Sequence, residues 1–322
     1  MPDRKALLKL LSDGSFHSGE ALGEDLGVSR AAVWKSIQGL IADGLNVHAV
    51  TGRGYRLASR LDLLDQHIIL GEMNDAASSL LSELDIHDCM DSTSRYLLEK
   101  ECRSGHVCIA EQQTAGKGRR GRAWISPYGA SINMSIVWHY EQGPAVLSGL
   151  SLAIGIAVAR TLEGMGATGI GLKWPNDIFW KDRKLGGILI EVSGESNGPC
   201  QVVTGIGLNI NLPQEADHEI EQPWANLSSA IQAANISRNH LIALLLNDIL
   251  PLLASFNENA LGSLLNDWKR FDICYGRQVN LHIAGNVISG KVLGINANGA
   301  LMLEDEHEVR EFQSGEVSLR LV

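Results

Sequence analysis

Apolar residues recur at helical spacing at the start of the chain, at alternate positions through much of its middle, and in short alternating runs at its end. Ala6, Leu7, Leu10 and Leu11 mark one helix, Gly19 to Leu26 a second, and Arg30 to Ala42 a third, entered through Gly27-Val-Ser29 with Ser29 as N-cap. Ala31, Val33, Ile37 and Leu40 are expected to hold the third helix on the other two. Ser29, Arg30, Trp34, Lys35 and Gln38 then face outward, with Trp34 open to a core assignment as well. After Gly44, an expected C-cap, Val47 to Val50 and Tyr55 to Leu57 flank Thr51-Gly-Arg-Gly54, a hairpin that would form a basic wing carrying Arg53. This is the pattern of a winged helix-turn-helix, for which DNA is the preferred partner over a packing module that never meets it.

From about residue 61 to 270 the pattern changes. A helix is expected near Thr93 to Cys102, strands at Val107 to Glu111 and Ile132 to Trp138, a buried helix within the uncharged run Gly143 to Ala159, and further strands through Asn211. Ile132, Met134, Ile136 and Trp138 are apolar at every second position, so that stripe is expected to be core. Helices Leu241 to Phe256 and Leu261 to Phe271 close this part, which suits a mixed sheet backed by helices. From Gly276 onward, within a last segment that begins at residue 271, short strands around Val279, Val287 to Leu293, Leu301 to Leu303, Val309 to Phe312 and Val317 to Leu319, with a turn at Asn296 to Gly299, predict a small β barrel.

Charge sharpens this division into segments 1–60, 61–270 and 271–322. The net charge is −10, yet residues 1 to 60 hold eight Lys or Arg against six acids, leaving −12 for the remainder. Such a molecule should bind DNA through a specific face, as a pair of winged modules on a palindrome, rather than coat it. The five cysteines form no C-x-x-C pair, and Arg4, Lys5 and Lys9 interrupt any leader-like start, so a reduced, cytoplasmic chain is expected.

The chemistry concentrates in three places. Gly116-Lys-Gly-Arg-Arg-Gly-Arg122 is a cationic glycine-rich loop whose backbone N–H groups can approach an anion closely. Its glycines satisfy G-x-G-x-x-G spacing, but Trp124-Ile-Ser-Pro127 follows where a dinucleotide fold needs a helix, and the Lys-Ser/Thr pair of a Walker loop is missing. Lys173-Trp-Pro-Asn-Asp177 reads as a rigid corner between two short strands. Lys181 to Lys184 reads as a hairpin turn that sets Lys184 at the mouth of the apolar strand Leu185 to Val192. Taken singly, Lys173 and Lys184 could be ordinary strand-end lysines; taken together with the loop they suggest phosphate and carboxylate ligands.

These segments, in this order and over essentially the whole chain, resemble the biotin protein ligases of the bifunctional class that also represses the biotin operon. The resemblance implies a winged helix-turn-helix, a central biotin/lipoate-ligase-type domain and an SH3-like C-terminal unit. It also implies an ATP- and Mg²⁺-dependent reaction that forms biotinyl-5′-AMP and transfers biotin to a lysine of a biotin carboxyl carrier protein of acetyl-CoA carboxylase. Operator DNA of biotin synthesis genes and a homodimer induced by the adenylate are the further partners it implies. Position by position, it assigns Ser92, Thr93, Ser94 and Gln113 to biotin, with Lys117, Gly118 and Arg119 closing over the ligand. Arg122, Trp124, Lys173, Asn176 and Asn209 fall to the nucleotide, and Lys184 to the reacting carboxylate, with Lys184, Lys173 and Arg119 as the catalytic group. Lys117 stands where the family usually has arginine and Ser94 where it usually has asparagine. A transcription factor that merely senses a ligand, and a lipoate or octanoyl transferase, are the competing functions.

Overall fold

The computed structural model describes residues 4–42, 44–58, 61–195, 198–231, 236–257, 260–283, 286–305, 307–315 and 317–321; the expected boundary at residue 60 lies outside them. Helices α1 (Arg4–Leu11), α2 (Gly19–Asp25) and α3 (Arg30–Ala42) pack through Leu7, Leu8, Leu11, Leu22, Val33, Ile37 and Leu40, all at most 2% exposed. Ser29 caps α3, its hydroxyl accepting from the Ala32 amide at 3.3 Å. Ala31, expected in that interface, is exposed instead, because it follows Arg30 on the outer side of the first turn. Strands β1 (Val47–Val50) and β2 (Gly54–Leu57) form the wing. Its return strand is tied back to the helices by reciprocal bonds between Tyr55 and His17 of 2.8 and 2.9 Å. Gly54 has φ +97°, and a β-carbon there would sit 1.9 Å from the His17 carbonyl oxygen, so no other residue fits.

The central unit is a seven-stranded mixed sheet. After α4 (Gln66–Glu72) and α5 (Asp75–Leu80) come β3 (Glu83–Met90), α6 (Thr93–Glu99), β4 (His106–Gln113), β5 (Ser131–Tyr140) and α7 (Leu150–Gly164). Then follow β6 (Ile170–Lys173), β7 (Asp177–Trp180), β8 (Arg183–Gly194), β9 (Cys200–Asn209), α8 (Leu227–Ile231), α9 (Arg238–Ser255) and α10 (Leu265–Phe271). The strand order is β3-β4-β5-β9-β8-β7-β6, parallel between β3 and β4 and antiparallel elsewhere. The stretch Pro144–Gly164 is long and apolar enough to cross a membrane by composition, but α7 packs against β6, β8 and α9 in the core. The helix expected over Thr93 to Cys102 stops at Glu99, and the one over Leu261 to Phe271 begins as a 3₁₀ turn at Ala260–Leu264.

The register of β5 positions the site. Ile132, Met134 and Ile136 are at most 1% exposed in the core, as the alternation predicted, while Trp138 at the end of that stripe is half-buried against it. Val137 faces the other side, where the short helix α6 covers β4, β5 and β9 and leaves the neighbouring surface open.

The C-terminal unit is an antiparallel sheet of β10 (Gln278–Ile283), β11 (Asn286–Ile295), β12 (Leu301–Glu304), β13 (Val309–Phe312) and β14 (Val317–Leu321), ordered β13-β12-β11-β10-β14. Its core joins that of the central unit, and the Trp174 indole, 1% exposed, donates to the Gly299 carbonyl at 3.0 Å. At the other end Arg4 of α1 pairs with Asp88 of β3 at 2.9 Å, and Tyr128 is buried within the winged module's core. The segment between them is anchored by the buried pair Arg238–Glu111 at 2.6 Å, with Glu111 also accepting from the Leu64 amide.

Candidate functional site

The open face of the sheet becomes a floor where glycines remove side chains. Two cross-strand rows run over it: Ser135, Gly205 and Leu189, then Asn133, Gly207 and Gly187. A β-carbon at Gly205 would come within 2.8 Å of the Ser94 hydroxyl, and one at Gly207 within 2.5 Å of the Trp124 ring. Above this floor lies a cavity of about 1080 Å³ counted to its open mouth. One wall is a hydroxyl cluster: Thr93 Oγ1 lies 2.7 Å and Ser94 Oγ 3.0 Å from Ser135 Oγ. Gln113 Oε1 accepts from the Thr93 amide at 2.8 Å and from its hydroxyl at 3.1 Å. Ser92 caps α6 through the Arg95 amide, which fixes the helix start over the floor. Buried, adjustable hydroxyls of this kind suit the polar head of a small uncharged group.

The opposite wall is cationic. Lys117, Arg119, Arg120, Arg122, Lys173 and Lys184 line it, with Asp177 as the one carboxylate among the described lining residues. Lys181 and Asp182, at φ +48° and +58°, make the two-residue turn between β7 and β8, and this brings Lys184 Nζ to 2.8 Å from Asp177 Oδ1. Lys173 lies over the Phe179 ring, 5.2 Å from its centroid, and burial pulls its pKa below the ordinary lysine value against the opposing pull of Asp177. The corner between these lysines is pinned. Its Trp174–Pro175 bond is cis, the Asn176 side chain donates to the Ile188 carbonyl at 2.7 Å, and the Ile188 amide donates to Asn176 O at 2.9 Å.

The glycine-arginine loop crosses the mouth. It is a small hairpin, with Lys117 bridging Ala123, the Gly118 amide donating to Arg122 O at 2.8 Å and the Trp124 amide to Gly116 O at 2.9 Å. At its base Trp124 lies on Gly207 and its indole donates to Asn133 Oδ1 at 3.3 Å. Arg119 turns inward, Nη1 donating to Asn176 Oδ1 at 3.4 Å and Nη2 to the carbonyls of Ser314 and Gly315. Val317, Ser318 and Leu319 of β14 also line the cavity, so the C-terminal unit supplies part of it.

The expected residues Ser92, Thr93, Ser94, Gln113, Lys117, Gly118, Arg119, Arg122, Trp124, Lys173, Asn176 and Lys184 therefore surround one space. Asn209 is not among its lining. It is buried behind the Lys184 strand, where its amide donates to Ala225 O at 3.3 Å and Lys184 O at 3.5 Å. Asp177 and Gly187 were read as part of the corner and of the close approach to a ligand, whereas Asn133, Ser135, Gly205 and Gly207 were missed, although the polar half of the β5 alternation and the repeated glycines of Gly205-Ile-Gly207 carried the signal.

Three family models match segments of the chain: an HTH domain over residues 3–56, the biotin/lipoate A/B protein ligase family over 86–209, and the biotin protein ligase C terminal domain over 275–320. The bifunctional ligase/repressor BirA of Escherichia coli is 42% identical over 316 residues, 98% of this chain and 96% of its own. This chain belongs to the bifunctional ligase/repressor family of biotin protein ligases. The family likeness extends to the biotin–[acetyl-CoA-carboxylase] ligase of Mycobacterium tuberculosis, 32% identical over 75% of this chain and 90% of that one. Among solved structures, the Aquifex aeolicus biotin protein ligase in complex with biotin and ATP is 27% identical with a TM-score of 0.66, covering 75% of this chain and all of that one. In this ligase/repressor chain the outward residues Ser29, Arg30, Trp34, Lys35, Gln38 and Arg53 are all exposed. Trp34 is 55% exposed, which removes the core assignment, and Arg53 stacks over Phe16 at 4.4 Å with Arg56 at 4.8 Å from the same ring.

Proposed function

We propose that the cavity makes biotinyl-5′-AMP from biotin and ATP and passes biotin to a lysine of a biotin carboxyl carrier protein. The observation that carries this reading is the shared cavity itself, with a hydroxyl wall on one side and cations on the other. Biotin's uncharged ring system lies on Ser92, Thr93, Ser94, Ser135 and Gln113, and its carboxylate points toward Lys184. The obstacle to activation is the approach of a carboxylate to the α-phosphate of ATP. Lys173 and Lys184 lower that repulsion as the new P–O bond forms and pyrophosphate leaves with its bonding electrons. Asp177 is a positioning residue, holding Lys184 Nζ at the reacting end. In the second step the acceptor amine attacks the anhydride carbonyl, the C–O bond breaks, AMP leaves and the amine gives up a proton. That step needs mainly positioning and dryness, which the closed loop with Arg119 supplies.

Mg²⁺ enters with ATP as part of the substrate. Asp177 is the single carboxylate on the described lining and is already paired with Lys184, so these residues build no magnesium cage of their own. Residues 1–60, 61–270 and 271–322 act as DNA-binding, ligase and C-terminal units. The winged unit makes the protein a biotin-responsive repressor. The adenylate orders the loops, two chains pair, and the dimer binds an operator of biotin synthesis genes. Sedimentation with biotin and MgATP shows a dimer at concentrations where the unliganded chain is monomeric; a ligand-indifferent monomer would remove that switch. Five free cysteines suit the cytoplasm.

Mass spectrometry of a biotin carrier domain incubated with this protein, biotin and MgATP tests the ligase reading. One biotin is added to one lysine, whereas an unmodified carrier leaves only a ligand-sensing regulator. Lipoate in place of biotin gives no product, because the biotin-facing wall is built for hydrogen bonding.

A further inference from the structure

Trp34 stands on α3 where a soluble module has no structural use for it. The helix is already held by Val33, Ile37 and Leu40 at 0–2% exposure and capped by Ser29, yet Trp34 presents 55% of its surface to solvent. It lies in one row with Arg30 and Gln38, four residues before and after it, and both are exposed. Arg and Gln are the side chains that read guanine and adenine edges in the major groove, and the N-terminal part of a recognition helix is the part that reaches the bases.

Resting on the DNA-binding reading of this unit, we infer that Trp34 reads the methyl group of a thymine in each operator half-site. The indole carries no charge and has only one donor, so it gains nothing from phosphate. The thymine methyl is the apolar feature that the major groove offers. Neighbours in the row are about 6 Å apart along the helix against about 3.4 Å per base pair, so that thymine lies within about two base pairs of those read by Arg30 and Gln38. Ile41, 41% exposed, lies at the far end of α3, away from the base-reading turn. Lys35, next to Trp34 on the same turn, and Arg53 of the wing are both exposed and free to supply phosphate contacts.

The experiment uses the full chain with biotin and MgATP. A duplex is selected from a random-sequence pool, then remade with deoxyuridine replacing each thymine in turn, which removes only the methyl. In the parent, one symmetric pair of replacements weakens binding roughly tenfold. Trp34→Ala binds the unmodified duplex with that same loss and is indifferent to the replacement, while its salt dependence keeps the parent's slope; Lys35→Ala, which removes one phosphate contact from each of the two half-sites, lowers the slope by about two. Circular dichroism confirms that Trp34→Ala is folded. Equal sensitivity of parent and Trp34→Ala to every replacement overturns the inference, as does a parent sensitive to none. A pool that yields no enriched sequence removes the DNA-binding reading itself, and this inference with it.

Discussion

The corner Lys173 to Asp177 and the loop Gly116 to Arg122 both deliver cations to one anion site, but they are built in opposite ways. The corner is set between β6 and β7, with Trp174 buried, its indole on Gly299 and Asn176 bonded twice to Ile188. The loop is held by a few backbone bonds at its own base and by one side chain, Arg119, that reaches Asn176, Ser314 and Gly315, while Lys117, Arg120, Gly121 and Arg122 are exposed. Contacts of the first kind give a segment that opens only with the domain, whereas contacts of the second kind give one that opens locally. On the proposed reading, the fixed part performs the chemistry and the movable part admits substrates and retains the adenylate.

Removing charge from the fixed part has the largest effect. Lys184→Ala lowers biotin-dependent pyrophosphate release by about 10²- to 10³-fold at saturating ATP, the usual consequence of losing a preorganised charge at a transition state. A drop in affinity alone, with kcat preserved, would transfer that role elsewhere. Next comes the floor: Gly207→Ala sets a methyl within 2.5 Å of Trp124, displaces the base of the loop and raises KM for biotin about tenfold, measured by initial rates. Arg119→Gly acts on the movable part. It leaves the rate of adenylate formation within about threefold but lets biotinyl-AMP escape, so free adenylate accumulates in the filtrate; a variant that holds the intermediate as the parent does denies Arg119 the retaining role.

The pH dependence is a smaller effect with a definite sign. Burial holds the folded pKa of Lys173 below the ordinary lysine value, so rising pH neutralises it earlier than an exposed lysine. Adenylate formation therefore declines on the alkaline side sooner than an ordinary lysine would require. Lys173→Arg, whose guanidinium keeps its proton, moves that decline to higher pH. A profile unaffected by this change would place the alkaline limb on another group. Smallest of all, Trp174→Phe loses the bond to Gly299 and costs about 1 kcal/mol of stability by denaturant titration.

The same contrast explains what could be read from the sequence. The corner, the loop and the Lys181-Asp182 turn were legible because proline, glycine and clustered charge fix local geometry. The winged unit was legible because its periodicity, caps and hairpin all agree over a short span, with α3 found at Arg30–Ala42 as expected. Asn133 and Ser135 were not, because they are polar positions in a strand recognised by its apolar face, and only pairing with β9 makes them a floor. Strand β3 escaped notice for a related reason: Asp85, His87 and Cys89 interrupt its apolar pattern, and its pairing partner β4 lies beyond α6. Asn209 illustrates the converse, a residue carried over by resemblance that here bonds the backbone behind Lys184.

Amide hydrogen exchange over both segments, with and without biotin and ATP, tests the division most directly. Lys173 to Asp177 should be protected in both states, while the Lys117 to Ala123 amides exchange within seconds in the free protein and become strongly protected on ligand binding. Equal protection of the two segments before ligand is added, or a loop that stays unprotected after it, would contradict the separation of a fixed catalytic corner from a closing loop.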